Sequence, residues 1–482
     1  MTYVSENFWH DAVNKATTDL FTFGYKHIIK PFFVFNQTPD VAHDQMIQFC
    51  KITKNIPPLM WACREMLNYS DPVLETNVMG IDFVNPFGLS AGLDKNCEMP
   101  VLLDNAGFGF ETVGSTTSRP CPGNPRPWFH RLPEYDSMMV HVGLANIGSD
   151  KVIERAEKAW TQARQMQLSV SIARTNDDQC GDLDEGIEDY CISMRRAAGR
   201  TAMVEVNVSC PNTHVGEPFT ATPEALDRLF TALDKIDRPQ PTLVKMPLNK
   251  PWGEYKELLD VLAEHNVQGL SIANLQKDRT GLEIPRDWEG GLSGGPCTNA
   301  STELIRKVYK EYGDRFAIAG IGGVFTPEQA YAKIRSGSSL VMFISSLMYR
   351  GPQQITVLKR GLAELLKRDG FDHVSQAVGI DAHGRPPLAR LAKTSGVISL
   401  SSPARRAARS QLRPRHPYLG LDDALPTMCC AYCPSCRIWM KLAGLLAGQQ
   451  KQRPSHAASS ELDAGAGRVA CGTAGARLSA TA

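Results

Sequence analysis

The order in which short apolar runs alternate with amphipathic ones constrains this chain more than any other feature. Apolar runs ending in small, polar or glycine-rich loops recur along it: Asn85 to Lys95, Glu111 to Ser115, Met203 to Val206, Thr242 to Lys245, Gly269 to Asn274, Gly290 to Pro296, Ala317 to Gly323 and Leu340 to Ser346. Among the later ones lie Pro223 to Ile236, Pro251 to His265, Ser301 to Tyr312 and Pro327 to Ser336, whose apolar residues return at helical spacing. Strands alternating with helices over roughly 270 residues predict an α/β fold, a (β/α)8 barrel in which the loops after the strands carry function. Length alone would allow about three domains, yet these motifs fit one barrel with additions at both ends.

The richest loop is Asn207-Val208-Ser209-Cys210-Pro211-Asn212-Thr213, which bunches two amides, a hydroxyl and a thiol at a strand end. Amides around a potential proton acceptor can hold a planar polar heterocycle in one pose beside a base. A thiol with an unperturbed pKa of about 8.5 can be that base at moderate pH with little help; a polar turn around an inert buried cysteine is the plain alternative. Gly322-Gly323 and Ser345-Ser346 fall after the seventh and eighth strands, where such barrels commonly bind phosphate through backbone N–H groups. Lys95 and Lys245 follow or end strands, and either could stabilise negative charge developing on a bound ring.

Taken jointly, AGLDK (Ala91 to Lys95), PGNPRP (Pro122 to Pro127), NVSCPNT (Asn207 to Thr213), GGLSG (Gly290 to Gly294) and GIGG (Gly320 to Gly323) resemble dihydroorotate dehydrogenase. The resemblance is to the membrane-associated, quinone-dependent class 2, and it runs from about Tyr25 to about Gly379. It implies FMN at the top of the barrel, oxidation of (S)-dihydroorotate to orotate in pyrimidine synthesis, and transfer of the electrons to a quinone. By position, Ala91, Gly92, Lys95, Ser115, Asn207, Lys245, Gly294, Gly323, Ser345 and Ser346 match FMN contacts, Ser115 standing where the family has Thr. Lys95, Asn207, Asn212 and Asn274 match substrate ligands. Cys210 takes the place of the general base, which is usually serine in class 2 and cysteine in class 1. Val140, Ser171 and Leu275 depart from the family's substrate ligands, which leaves open a paralogous FMN oxidoreductase acting on another small substrate, or a binding module without activity.

The ends read differently from the barrel. Residues 25–75 read as a helical extension mixing aromatic, aliphatic and basic residues, of the kind that can lie in a bilayer interface. In the resemblance this extension forms the quinone tunnel, with His43 and Arg131 at its inner end and peripheral attachment at the cytoplasmic face of the inner membrane. Residues 1–24 carry an unassigned amphipathic segment, 76–380 the barrel, and 381–482 an Ala-, Arg-, Ser- and Pro-rich tail of the composition that stays disordered. Within the tail, Cys429, Cys430, Cys433 and Cys436 have C-x-x-C spacing without a second cluster, so no metal is assigned. A net charge of +1 gives no bulk attraction to nucleic acid. No secretory signal or apolar run of about 18 residues is visible, and the thirteen scattered cysteines suit a reducing cytosol.

Overall fold

In the computed structural model, which describes residues 3–178, 182–214 and 216–382, the apolar runs form eight parallel strands closed into a barrel. They are β1 (Phe87–Leu89), β2 (Phe110–Thr116), β3 (Gln167–Ile172), β4 (Met203–Asn207), β5 (Thr242–Met246), β6 (Gly269–Ile272), β7 (Ala317–Ile321) and β8 (Leu340–Phe343). Period-two alternation gives each strand two destinations. Phe110, Met203, Leu243, Ala319 and Met342 cluster inside with Val78 and Phe83, which belong to the hairpin Thr76–Val78 and Ile81–Phe83 at the end where the strands begin. Val204, Val206 and Val244 pack outward against Leu226, Leu229, Leu258 and Leu259 of the helices Pro223–Asp234 and Trp252–Ala263.

One expectation is corrected. The Gly290 to Pro296 run contributes no barrel strand: Gly291–Gly294 pairs antiparallel with Ser137–Val140, which pairs with Phe129–Leu132. Four residues between glycines have no period that separates a barrel strand from a ribbon over its mouth. The vacant place in the barrel is taken by β3, between β2 and β4.

Ahead of the barrel, the helix Tyr3–Gly24 continues into a wider π-helical segment, Tyr25–Val34. The helix Pro39–Thr53 follows, its first turn capped by the Thr38 hydroxyl, and then Pro57–Leu67, a helix the periodicity did not predict, begun by two prolines at positions that need no intrahelical donor. Buried contacts fasten this extension: Lys359 donates to Asn68 Oδ1 (3.1 Å) and Gly107 O (2.8 Å), and Tyr25 to Met348 O (2.6 Å). The tail with its C-x-x-C pattern lies outside the described residues.

Inside the barrel, a Cβ on Gly88 would meet the Phe110 ring at 2.4 Å. Gly88→Ala therefore overpacks the interior and should cost about 1–3 kcal/mol, read as a lower urea midpoint at unchanged slope. A midpoint equal to wild type would mean that the Phe110 ring has room to shift.

Candidate active site

Backbone hydrogen bonds at the strand ends build the rim first. Gly92 N–H donates to Gly114 O (2.8 Å) and Gly114 N–H to Asp94 O (2.9 Å), tying the loop after β1 to the end of β2. The buried Asp94 carboxylate accepts the N–H groups of Glu98 (2.7 Å) and Met99 (2.7 Å), fixing the turn that carries Lys95. That lysine is buried with its ammonium 5.6 Å from the Trp128 ring centroid and 5.4 Å from that of Phe129. Burial holds its pKa down at about 8, against the nearby carboxylates.

The polar floor is a connected network. Asn207 donates to Ser115 Oγ (2.8 Å), and Ser115 and Ser171 share a hydroxyl contact of 2.8 Å. Asn274 donates to Ser209 O (2.7 Å), and Ser209 Oγ to Lys245 O (2.7 Å), the residue registered beside Asn207. Asn212 donates to Val140 O (2.9 Å), while Asn124 donates to Asn212 O (3.0 Å). Four expected residues, Ser115, Asn207, Asn274 and Lys245, are thus assembled on one network, and Asn212 lies on its edge. Ser171, which departs from the family pattern, is filled in by pairing with Ser115.

Cys210 lines a small pocket with Leu144, Arg174, Tyr190, Thr213 and Phe219. Burial pushes the thiol up to about 11, although the Asn212 N–H and the Lys245 and Arg174 charges pull the other way. The expectation of a base that ionises at moderate pH with little help is therefore corrected: enclosure withholds the water that would stabilise a thiolate. Tyr190 donates to Asn207 O (2.7 Å), bracing the end of β4. Arg174 and Tyr190 escaped the sequence reading, although Arg174 follows β3 at the position where barrel strands present functional groups.

The two late loops make a cradle suited to an anion. Gly322 and Gly323 have φ of +100° and +65°, and a Cβ on Gly323 would lie 1.9 Å from Thr298 Oγ1, so only glycine permits this approach. Gly294 also has positive φ, and a Cβ there would collide with Asp136 O. Ser345 Oγ contacts Ser293 Oγ at 2.9 Å, and the buried Ser346 Oγ has no hydrogen-bond partner among the described residues. Ala91 is buried on the loop after β1, the strand paired with β8. Lys95 and Lys245 are buried without a carboxylate ion pair among the described residues, which favours a negatively charged ligand. No group of three or more metal-ligating side chains occurs among the described residues.

His43 and Arg131 lie along the seam between extension and barrel. His43 Nε2 is 3.1 Å from Leu93 O and 3.3 Å from Lys95 Nζ, and burial followed by the Lys95 charge keeps its imidazole below the usual range. Arg131 donates to Val34 O (2.7 Å) and Gln37 O (2.6 Å), and its guanidinium lies 4.9 Å from the Phe35 ring centroid. His43 thus touches the rim of the mouth, whereas Arg131 clasps the end of the Tyr25–Val34 helix.

Comparison with known proteins agrees with this arrangement. The family profile for dihydroorotate dehydrogenase matches residues 73–366. A dihydroorotate dehydrogenase (quinone) from Synechocystis sp. is 32% identical over 370 residues, covering 73% of this chain and 96% of that protein. Its counterpart from Thermobifida fusca is 35% identical over 338 residues, covering 68% and 88%. The ligand-free dihydroorotate dehydrogenase structure from Eimeria tenella superposes with a TM-score of 0.64 at 29% identity, covering 72% of this chain and 100% of that one. A barrel whose rim gathers a thiol, four amides and buried cations, matched over nearly the full length of these enzymes, places the chain in the dihydroorotate dehydrogenase family, on its quinone-dependent branch.

Proposed function

We propose that the protein oxidises (S)-dihydroorotate to orotate on FMN and returns the electrons to a quinone, in de novo pyrimidine synthesis. The observation that carries this reading is Cys210, set in a small, half-open pocket beside Asn207 at the end of β4. In this role the thiolate takes the proton from C5 of the substrate. Bound FMN supplies the acceptor for the hydride leaving C6. Lys95, Asn207, Asn212 and Asn274 hold the carboxylate and ring amides. Ala91, Gly92, Ser115, Lys245, Gly294, Gly323, Ser345 and Ser346, with Lys95 and Asn207, hold the flavin and its phosphate.

The oxidative half is assigned to the extension, residues 25–75, with His43 and Arg131 facing the quinone and residues 76–380 carrying the flavin. Ile28, Phe32, Phe33 and Trp61 are exposed on its helices, and Leu20 and Phe23 on the helix Tyr3–Gly24 just ahead of it, close in sequence to Lys26 and Lys30, a combination suited to an anionic bilayer interface. No described helix is long and apolar enough to cross a membrane. Attachment is read as peripheral, at the cytoplasmic face of the inner membrane.

Purified protein should be yellow with noncovalent FMN, and anaerobic dihydroorotate should bleach it. Protein that binds FMN yet stays oxidised would shift the reading to another small substrate, as the alkyl groups Val140 and Leu275 beside the amides favour. Protein that takes up no flavin would overturn it.

Cys210→Ala should slow flavin reduction by about 10²- to 10⁴-fold, the usual worth of a positioned base, with FMN still bound. The wild-type rate should rise about tenfold per pH unit below pH 8, because the base form of a thiol near 11 grows at that rate. Above about 8, where Lys95 loses its proton, the gain in thiolate is offset by loss of the ammonium and the profile levels. Lys95→Arg, which keeps its charge, should extend the rise; a pH-independent rate from pH 6 to 8 would exclude the thiol.

Phe23→Glu together with Phe32→Glu should reduce co-sedimentation with anionic vesicles and slow quinone reduction there, while dihydroorotate bleaches the flavin at the wild-type rate. Unchanged co-sedimentation would place the membrane surface elsewhere.

A further inference from the structure

Lys333, on the helix Pro327–Ser336, is fully buried and lies outside every role assigned so far. Its ammonium donates to Ser301 Oγ (2.5 Å), Thr302 Oγ1 (3.0 Å) and Thr298 O (3.4 Å), all neutral oxygens, and forms no ion pair among the described residues. These acceptors occupy the first turn of the helix Thr298–Tyr312, which has no acidic residue there and no side-chain cap. A helix begins at its positive end, so the surroundings add to the cost of an ammonium already deprived of water.

A second buried lysine shows the contrast. Lys359 donates to the carbonyl of Gly107, the residue ending the helix Pro100–Ala106, where the helix field favours a cation. Lys333 has the opposite placement, and its partners lead directly to the anion cradle. Ser301 Oγ reaches Gly322 O (3.5 Å) and Thr298 Oγ1 donates to Gly323 O (3.2 Å). The glycine loop thus rests on two side chains, and both residues are held from beneath by one ammonium.

Among the titratable groups around Lys333, Cys297 is the one whose charge acts on it. Cys297 cannot serve as the anion, since Sγ donates to Leu292 O (3.3 Å) and burial pushes the thiol up to about 11. On the neighbouring helix Thr298–Tyr312 Arg306 pairs with Glu303, and on the helix of Lys333 itself Arg335 pairs with Asp369 and Asp381. No carboxylate among the described residues is paired with the Lys333 ammonium.

We propose that Lys333 is the buried counter-cation for the phosphate bound at the Gly322-Gly323 loop, acting as a positioning residue one layer below the backbone that touches it. The inference rests on the FMN reading above. Without an anion, burial lowers the lysine to about 7; a bound phosphate raises it again, so above that pH FMN must bind together with a proton.

Full-length protein freed of flavin is titrated with FMN and with riboflavin, which lacks the phosphate, by quenching of flavin fluorescence at pH 7 and pH 9. Wild-type affinity for FMN should fall at least about tenfold between these pH values, as expected where a lysine must be reprotonated, while that for riboflavin changes less than about twofold; titration of Lys95 acts on both flavins and cancels. Lys333→Met should bind FMN at least about tenfold more weakly at pH 7, bind riboflavin as wild type does, and lose the pH slope specific to FMN. Equal pH slopes for the two flavins in wild type, or equal losses for both in the variant, would overturn the role. Should the variant fail to fold, the wild-type comparison decides alone. If wild type binds neither flavin, the FMN reading itself falls and takes this inference with it.

Discussion

Closure of eight parallel strands is the constraint on which the rest of the structure depends. A closed parallel sheet has no edge left to pair, so every strand must finish at the same rim, and residues distant in sequence meet there. Lys95, Ser115, Ser171, Asn207, Lys245 and Asn274 become neighbours for that reason. The antiparallel ribbon of Phe129–Leu132, Ser137–Val140 and Gly291–Gly294 joins the loops after β2 and β6 across the mouth, and the extension then packs on this roof.

Enclosure by roof and extension governs the electrostatics. Removing water works on acids and bases in opposite directions. It pushes Cys210 up to about 11 and brings Lys95 down to about 8. Both groups are thereby moved toward neutrality, the thiol protonated and the lysine readier to lose its proton. Arg174 shares the pocket with the thiol and supplies part of the field that opposes the shift.

Much of this was legible in the chain. Seven barrel strands, the helices following the later ones and the two glycine–serine loops follow from period and punctuation, since buried strands and amphipathic helices leave different spacings of apolar residues. The ribbon strand Gly291–Gly294 and the helix Pro57–Leu67 did not, because short segments among glycines or after paired prolines have little period to read. Cys210 was visible as a residue, whereas its protonation was not: the shift comes from burial in a pocket lined by Tyr190 and Phe219, brought close only by folding. Lys333 was hidden for the same reason, as a lysine on an amphipathic helix reads as a solvated charge until the helix is packed.

The contact between His43 and Lys95 has a wider consequence. The water missing around Lys95 is excluded partly by the helix Pro39–Thr53, so the proton affinity of a barrel residue is a joint property of barrel and extension. Lifting that helix would return solvent to the ammonium and remove the Asp40 and Asp44 carboxylates as well; burial is the larger influence, so the affinity would rise. The titration of one lysine therefore gauges whether the extension is seated, and whatever loosens the extension from outside is felt at the rim as a gained proton.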